Sequence, residues 1–318
     1  MIQVKKYFIN MELLLPVIFV GLFIYFSFAT EYFFKISNIV LLFSQMVELG
    51  LLTLAMSASV VSGGMDLSIG ALASLCTVLL AVLMGNVGLS MPVSILLVLG
   101  FALACGVFNG FIIGYFKVTA MLVTIGTGSL FMGMGMLITS GATLGISNKS
   151  FSVIGQYKIG GLIPLDFILF GIVVALVYIL FSYSTWGRRI YMIGSNPEVA
   201  RFAAINIKKN ILLVYVFTAT LAFLCGLILS SRISSGRADV ADSLVLKAVA
   251  ATVLGGVNIK GGSGKIMGVI MGVAIFTIIS NGLSMLRVSS FLLQIIIGSV
   301  MLIALALRQI STSKTSSR

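Results

Sequence analysis

The 318-residue sequence has no histidine, one tryptophan, four prolines and three cysteines, and charged residues make up only 9% of it. Each scarcity excludes something. Without histidine, the commonest metal ligand and general base is missing. Cys76, Cys105 and Cys225 all lie inside apolar runs with no CxxC spacing, which reads as packing thiols and not as a disulfide frame or a metal site. A soluble fold carries about 25% charged residues, so a chain this poor in charge does not solvate a globular surface.

What stands in their place is apolar. Hydrophobic residues make up 59% of the chain, gathered in stretches of roughly 17–25 residues, the length that crosses a hydrocarbon core about 30 Å thick. These stretches do not alternate polar and apolar residues, as the strands of a membrane β-barrel do. The fold class is therefore an all-α polytopic membrane protein. Ten spans fit: 11–29, 38–62, 67–85, 92–116, 119–140, 165–184, 210–231, 243–257, 266–286 and 290–307, the short eighth reading as a broken or re-entrant helix. Lys5 and Lys6 precede an apolar run from Leu13 to Phe28 with no small-x-small cleavage site after it, so that run reads as a retained first helix. Residues 1–310 are expected to form one transmembrane domain, and the polar stretch 311–318 a disordered cytoplasmic tail.

Twenty Lys and Arg face eight Asp and Glu, a formal charge of +12. In a membrane protein such an excess follows topology, because cytoplasmic loops are enriched in basic residues, and it does not call for a nucleic-acid partner. With both termini cytoplasmic, thirteen of the basic residues fall inside, five of them (Arg188, Arg189, Arg201, Lys208 and Lys209) in the loop 185–209. Seven (Lys35, Lys149, Lys158, Arg232, Arg237, Lys247 and Arg287) fall outside. That asymmetry supports the N-in, C-in arrangement.

Two parts of the chain resemble each other. Ser62-Gly63-Gly64-Met65-Asp66 shares its S-G-x-x-D spacing with Ser235-Gly236-Arg237-Ala238-Asp239. Asn109-Gly110 and Gly126 match Asn281-Gly282 and Gly298 at one constant offset. The copies, spans two to five and seven to ten, enter the membrane from opposite sides, as in the inverted repeats of transporters, whose solute path runs at the repeat interface. Gly106, Gly110, Gly114 and Gly264, Gly268, Gly272 each recur every four residues, a face on which backbones approach closely or, alternatively, a lining for a narrow passage.

Four polar side chains near the apolar spans are candidates for a solute pathway. Asp66 either caps the next helix start or meets the solute directly, and both can hold together. Glu48 lies within the second span without an evident partner, as a buried hydrogen-bonded carboxyl or a pathway group. Asn109 and Asn281 either hydrogen-bond a polyol or join helices. In the loop, Asn196 reads as an N-cap, Pro197 as the first helical residue and Glu198 as a complement to the dipole. The helix that follows carries Val199, Phe202 and Ala203 on one side. It docks on a cytoplasmic partner or lies on the lipid interface. Gly261-Gly262-Ser263-Gly264-Lys265-Ile266 is not a phosphate loop: the first glycine of GxxxxGK[ST] falls at Ile259, and Ile266 replaces the hydroxyl residue. If transport is driven by ATP, the ATPase is another polypeptide.

Three blocks carry a family resemblance. Val60–Ala71 (VVSGGMDLSIGA), Gly187–Ile205 (GRRIYMIGSNPEVARFAAI) and Ala248–Gly268 (AVAATVLGGVNIKGGSGKIMG) resemble, in order and separation, the ribose-type permeases of bacterial ABC importers, in the superfamily of branched-chain amino acid and ribose permeases. The resemblance implies a type II importer architecture in the bacterial inner membrane, and two permease subunits, identical or different. It also implies two cytoplasmic ATPases that bind ATP and magnesium, and a periplasmic or lipid-anchored solute-binding protein. This chain itself is then expected to bind no cofactor and to catalyse no reaction. Gly194, Asn196, Pro197, Glu198, Ala200, Arg201 and Ala204 are then expected to form the coupling helix that docks in an ATPase groove, and Arg232, Arg237 and Asp239 to meet the binding protein outside. The solutes implied are monosaccharides or autoinducer-2, and Ser235–Asp239 with Gly255–Gly264 look closer to the autoinducer-2 and rhamnose branches than to the ribose one. An ion-coupled secondary transporter is the rival reading. It requires intramembrane carboxylates for coupling, and only Glu48 and Asp66 qualify.

Overall fold

In a hydrocarbon surround each backbone N–H and C=O must find its partner inside the protein, which a helix accomplishes within one segment. The long apolar runs accordingly fold as helices in the computed structural model, which describes residues 11–289 and, beyond them, 291–292, 295–296 and 298–299. The chain runs through α1 (Met11–Ala29), α2 (Ile36–Val61) and α3 (Ile69–Ala81), the last continued by a π-helical turn at Val82–Asn86. Next come α4 (Met91–Phe116) and α5 (Ala120–Thr139). A connecting region holds β1 (Leu144–Gly145), α6 (Lys149–Gln156), β2 (Lys158–Ile159) and β3 (Ile163–Pro164) before α7 (Leu165–Ser182). The short α8 (Thr185–Ser195) and α9 (Pro197–Phe202) lead into α10 (Ile207–Ile233), β4 (Ser235–Gly236), α11 (Asp242–Leu254) and α12 (Ile266–Met285).

Among the described residues, seven helical segments are long and apolar enough to cross a membrane: 36–61, 69–86, 91–116, 120–139, 165–182, 207–233 and 266–285. The expected tenth span, 290–307, lies largely outside the described residues, and the tail 311–318 and Lys5 and Lys6 lie wholly outside them. The expected short eighth span, 243–257, is the 13-residue α11, only about 20 Å long at 1.5 Å per residue and not among those seven.

Helix α10 occupies the centre and packs against α2, α3 and α4, while α2 packs in turn against α11, α12 and α7. The glycine spacing explains how closely these helices lie. A Cβ on Gly106 or Gly110 would come within 2.7 Å of backbone atoms of Tyr215 or Leu212, and one on Gly114 within 3.0 Å of the Lys208 carbonyl. These three therefore set the α4–α10 contact. Gly268 and Gly272 likewise face the backbone of Gly255 and Ala251 at the end of α11. Gly264 does not belong to that second ladder. It precedes α12 with φ 152°, packed on Val257.

The chain is unwound in two places within the bundle, and neighbouring hydroxyls satisfy it there. Between α2 and α3, Asp66 N donates to Ser59 Oγ at 3.2 Å and Leu67 N to Thr124 Oγ1 at 3.1 Å, while Thr124 Oγ1 donates to Met65 O. Between α10 and α11, Arg237 N donates to Thr77 Oγ1 at 3.1 Å and Ala241 N to Ser74 Oγ at 2.9 Å. The second unwound segment thus runs along one face of α3 before α11 begins. Irregular backbone is tolerated at membrane depth when protein groups supply its hydrogen bonds. At the far end β4 pairs antiparallel with β1, Gly236 opposite Leu144.

Candidate functional site

The loop between α7 and α10 is built from its caps outward. Ser184 Oγ accepts from Gly187 N at 3.0 Å and starts α8. Asn196 Oδ1 accepts from Glu198 N at 2.9 Å and Val199 N at 3.2 Å, and Pro197 occupies the first turn of α9, as its missing N–H permits. Ala204, with φ 56°, turns the chain out of α9, and Asn206 Oδ1 accepts from Lys209 N to open α10. Ala200 is buried under α9, whereas Val199 is 52% and Phe202 92% exposed.

This segment is tied through glycine to the unwound connection after α2 and to the loop between α11 and α12. A Cβ at Gly194 would collide with Val61 O and come within 2.7 Å of Gly262 N. Gly262 N itself donates to Val61 O at 2.9 Å. Gly63 (φ 88°) and Gly261 (φ 89°) complete the junction, each against the backbone of Gly194. The end of α8, the end of α2 and the 256–264 loop thus meet backbone to backbone. Tyr191 adds a fourth tie by donating its hydroxyl to Gly264 O at 2.8 Å, and its partial burial raises the phenol above its ordinary range, so it stays a donor. The glycine run after Asn258 is a close-packed joint. Sequence reasoning rejected it as a phosphate loop without finding this role. The positive φ at Gly261 and Gly262 is what two adjacent glycines permit.

The structure brings together two of the four expected pathway residues. Asp66 Oδ1 accepts from Ser68 N at 3.1 Å and Ser68 Oγ at 2.6 Å, and its Oδ2 accepts from Thr218 Oγ1 at 2.6 Å. Asn109 Nδ2 donates to Ser68 Oγ at 3.1 Å. Asp66, Ser68, Asn109 and Thr218 therefore join α3, α4 and α10 in one buried polar cluster. Beside it, the Tyr215 hydroxyl lies so near Gly64 that a Cβ there would approach to 2.7 Å. Asn281 is elsewhere, in a reciprocal amide pair with Asn38 (2.9 and 3.1 Å) that joins α12 to α2.

Glu48 has a partner after all: Arg232, at the end of α10, reaches in to pair with it at 2.5 Å. The buried carboxylate of Asp166, the first-turn acid of α7, accepts from Phe167 N at 2.8 Å and from Ser44 Oγ at 3.4 Å. Of the residues expected at the outer face, Arg232 thus turns inward. Arg237 and Asp239 remain half-exposed and paired with each other at 2.6 Å.

Residues 38–305 match the family model described as branched-chain amino acid transport system / permease component. The autoinducer 2 import system permease protein LsrD of Photorhabdus luminescens is 32% identical over 292 residues, covering 90% of this chain and 87% of that protein. The LsrD of Yersinia enterocolitica is 32% identical over 86% of this chain and 84% of its own length. That of Escherichia coli K12 is 32% identical over 84% and 82%. No solved structure matches the chain.

Proposed function

We propose, for a chain that belongs to the branched-chain amino acid transport system / permease component family, that it is the membrane-spanning subunit of an ATP-driven importer, in a bacterial inner membrane with both termini cytoplasmic. Its solute is autoinducer-2 or a monosaccharide. The relatives named as autoinducer 2 import permeases favour the former. The passage is in this chain, and the ATPase that drives it is a separate subunit on the α8–α9 side. A second permease subunit and a solute-binding protein complete the assembly.

One observation carries the reading. The Gly194 junction packs α8, which runs directly into the capped α9 with its outward Val199 and Phe202, against the end of α2 and the 256–264 loop. A partner that grips α9 therefore moves the end of α2 and the loop between α11 and α12 with it. The mirrored packing of α2 on α11 and α12, and of α10 on α3 and α4, supports an inverted repeat, whose halves rock about such joints. Asp66 and Asn109 serve the pathway when the α2–α3 break opens. Glu48 with Arg232, and Asn281 with Asn38, brace the helices around it. Arg237 and Asp239 meet the binding protein.

Ion-coupled transport fits less well. Arg232 holds the Glu48 carboxylate and three donors hold that of Asp66, so neither offers a free ligand set. The experiment is purification of the chain from its native membrane with identification of what accompanies it. An ABC ATPase in stoichiometric amount supports the reading. Absence of any ATPase, with uptake following an ion gradient, overturns it.

A further inference from the structure

A cavity of about 440 Å³ lies where the ends of α4 and α10 meet α9. Its walls are apolar: Ile113 and Gly114 of α4, then Ile205, Ile207 and Ile211 around the start of α10. Lys117, Arg201 and Lys208 add three cations from three different elements, and no carboxylate is among its lining residues. None of the three forms an ion pair among the described residues. Lys208 rests over the Tyr115 ring at 5.2 Å. The 27-residue α10 begins at Ile207, so the positive end of its dipole faces the same space.

An apolar cavity at the ends of two long helices whose lining also carries three cations and no carboxylate matches an amphiphile with an anionic head. We propose that this cavity binds an anionic phospholipid of the leaflet on the α8–α9 side, phosphate against Lys117, Arg201 and Lys208, acyl chain along Ile113 and Ile211. Charge complementarity and the apolar walls together select a lipid over a free phosphate, which has no use for those walls. Arg201 sits on α9 and Lys208 on α10, while Lys117 is the left-handed residue that ends α4. The bound headgroup therefore bridges the coupling segment to the bundle, and the composition of the leaflet bears on how α9 is held.

The test is native mass spectrometry of the full-length chain, with whatever subunits co-purify, titrated with phosphatidylglycerol or phosphatidylcholine. Each cation near an anionic headgroup contributes roughly fivefold, so the first phosphatidylglycerol is expected to bind at least about tenfold tighter than phosphatidylcholine. Lys117→Gln/Arg201→Gln/Lys208→Gln is expected to reduce that ratio to about one. Arg188→Gln/Arg189→Gln/Lys209→Gln, which removes equal charge away from the cavity, is expected to keep it. Val118 also lines the cavity, and Val118→Trp, which narrows it and keeps the cations, is expected to weaken lipid binding and serves as the deciding variant should the triple change fail to fold. Equal binding of the two lipids, an unchanged preference in the cavity variants, or displacement of the lipid by millimolar inorganic phosphate overturns the proposal.

Discussion

Gly194→Ala is the sharpest perturbation of the joint between the coupling segment and the bundle. The added methyl would lie 2.7 Å from Gly262 N and closer still to Val61 O, where an ordinary contact is about 3.4 Å or more. Both neighbours are backbone, so neither yields as the tip of a flexible side chain does. Overpacking of this kind costs about 1–3 kcal/mol, and the helix preference of alanine over glycine returns about 1 kcal/mol, since the residue lies within α8. The net loss of stability is therefore small, about 0–2 kcal/mol, and the fold survives. What does not survive is the register of three backbones that the Gly262–Val61 hydrogen bond holds together. Solute uptake in cells is expected to fall at least tenfold while the amount of protein in the membrane stays near wild type. Gly171→Ala is the control: it lies in α7 with nothing within 4 Å of the added methyl, so it is expected to keep full uptake and to melt at the same temperature or slightly higher. Equal uptake and equal melting for the two variants would refute the reasoning, because a joint that accepts a methyl group is not close-packed.

Other outcomes follow from the same contacts. Arg232→Leu leaves the Glu48 carboxylate buried without its partner and is expected to cost about 3–5 kcal/mol in thermal unfolding; a simultaneous Glu48→Leu should recover most of that. Ser74→Ala removes the acceptor of Ala241 N in the unwound segment before α11, an expected loss of about 1–3 kcal/mol by the same assay, whereas an unchanged melting temperature would mean that water reaches that amide. Phe202→Asp changes an exposed side chain, so folding should stay within about 0.5 kcal/mol of wild type. Retention of ATPase on the purified chain is nevertheless expected to be lost, and undiminished retention would place the docking surface elsewhere.

Much of the fold was legible because hydrocarbon imposes a simple rule on length and composition. The bounds of α1, α4, α5 and α12 lie within a few residues of the apolar runs that announce them. The caps of α9 were legible for the same local reason, since Asn196 and Pro197 act on their own neighbours. Where the sequence misled, a distant partner decided. Apolar residues through Val257 extend the expected eighth span, yet α11 ends at Leu254 and begins only after a segment held by Ser74 and Thr77, 167 and 160 positions away. Glu48 had no visible partner because Arg232 arrives from another helix. Asn109 and Asn281 matched each other in the repeat, but the first joined Ser68 and the second Asn38, a divergence that only the packing reveals. The Gly194 joint was invisible for a related reason: a glycine records that something is close without recording what.

The central claim is that a separate ATPase grips this chain at α9. It is tested most directly by placing a photocrosslinking amino acid at position 202, where Phe202 points outward, and irradiating native membranes that hold the intact assembly. The account predicts a crosslink to an ATP-binding-cassette subunit that weakens when Asn196→Ala removes the cap of α9. Crosslinks to lipid alone, in membranes where that ATPase is present and uptake is active, would contradict it.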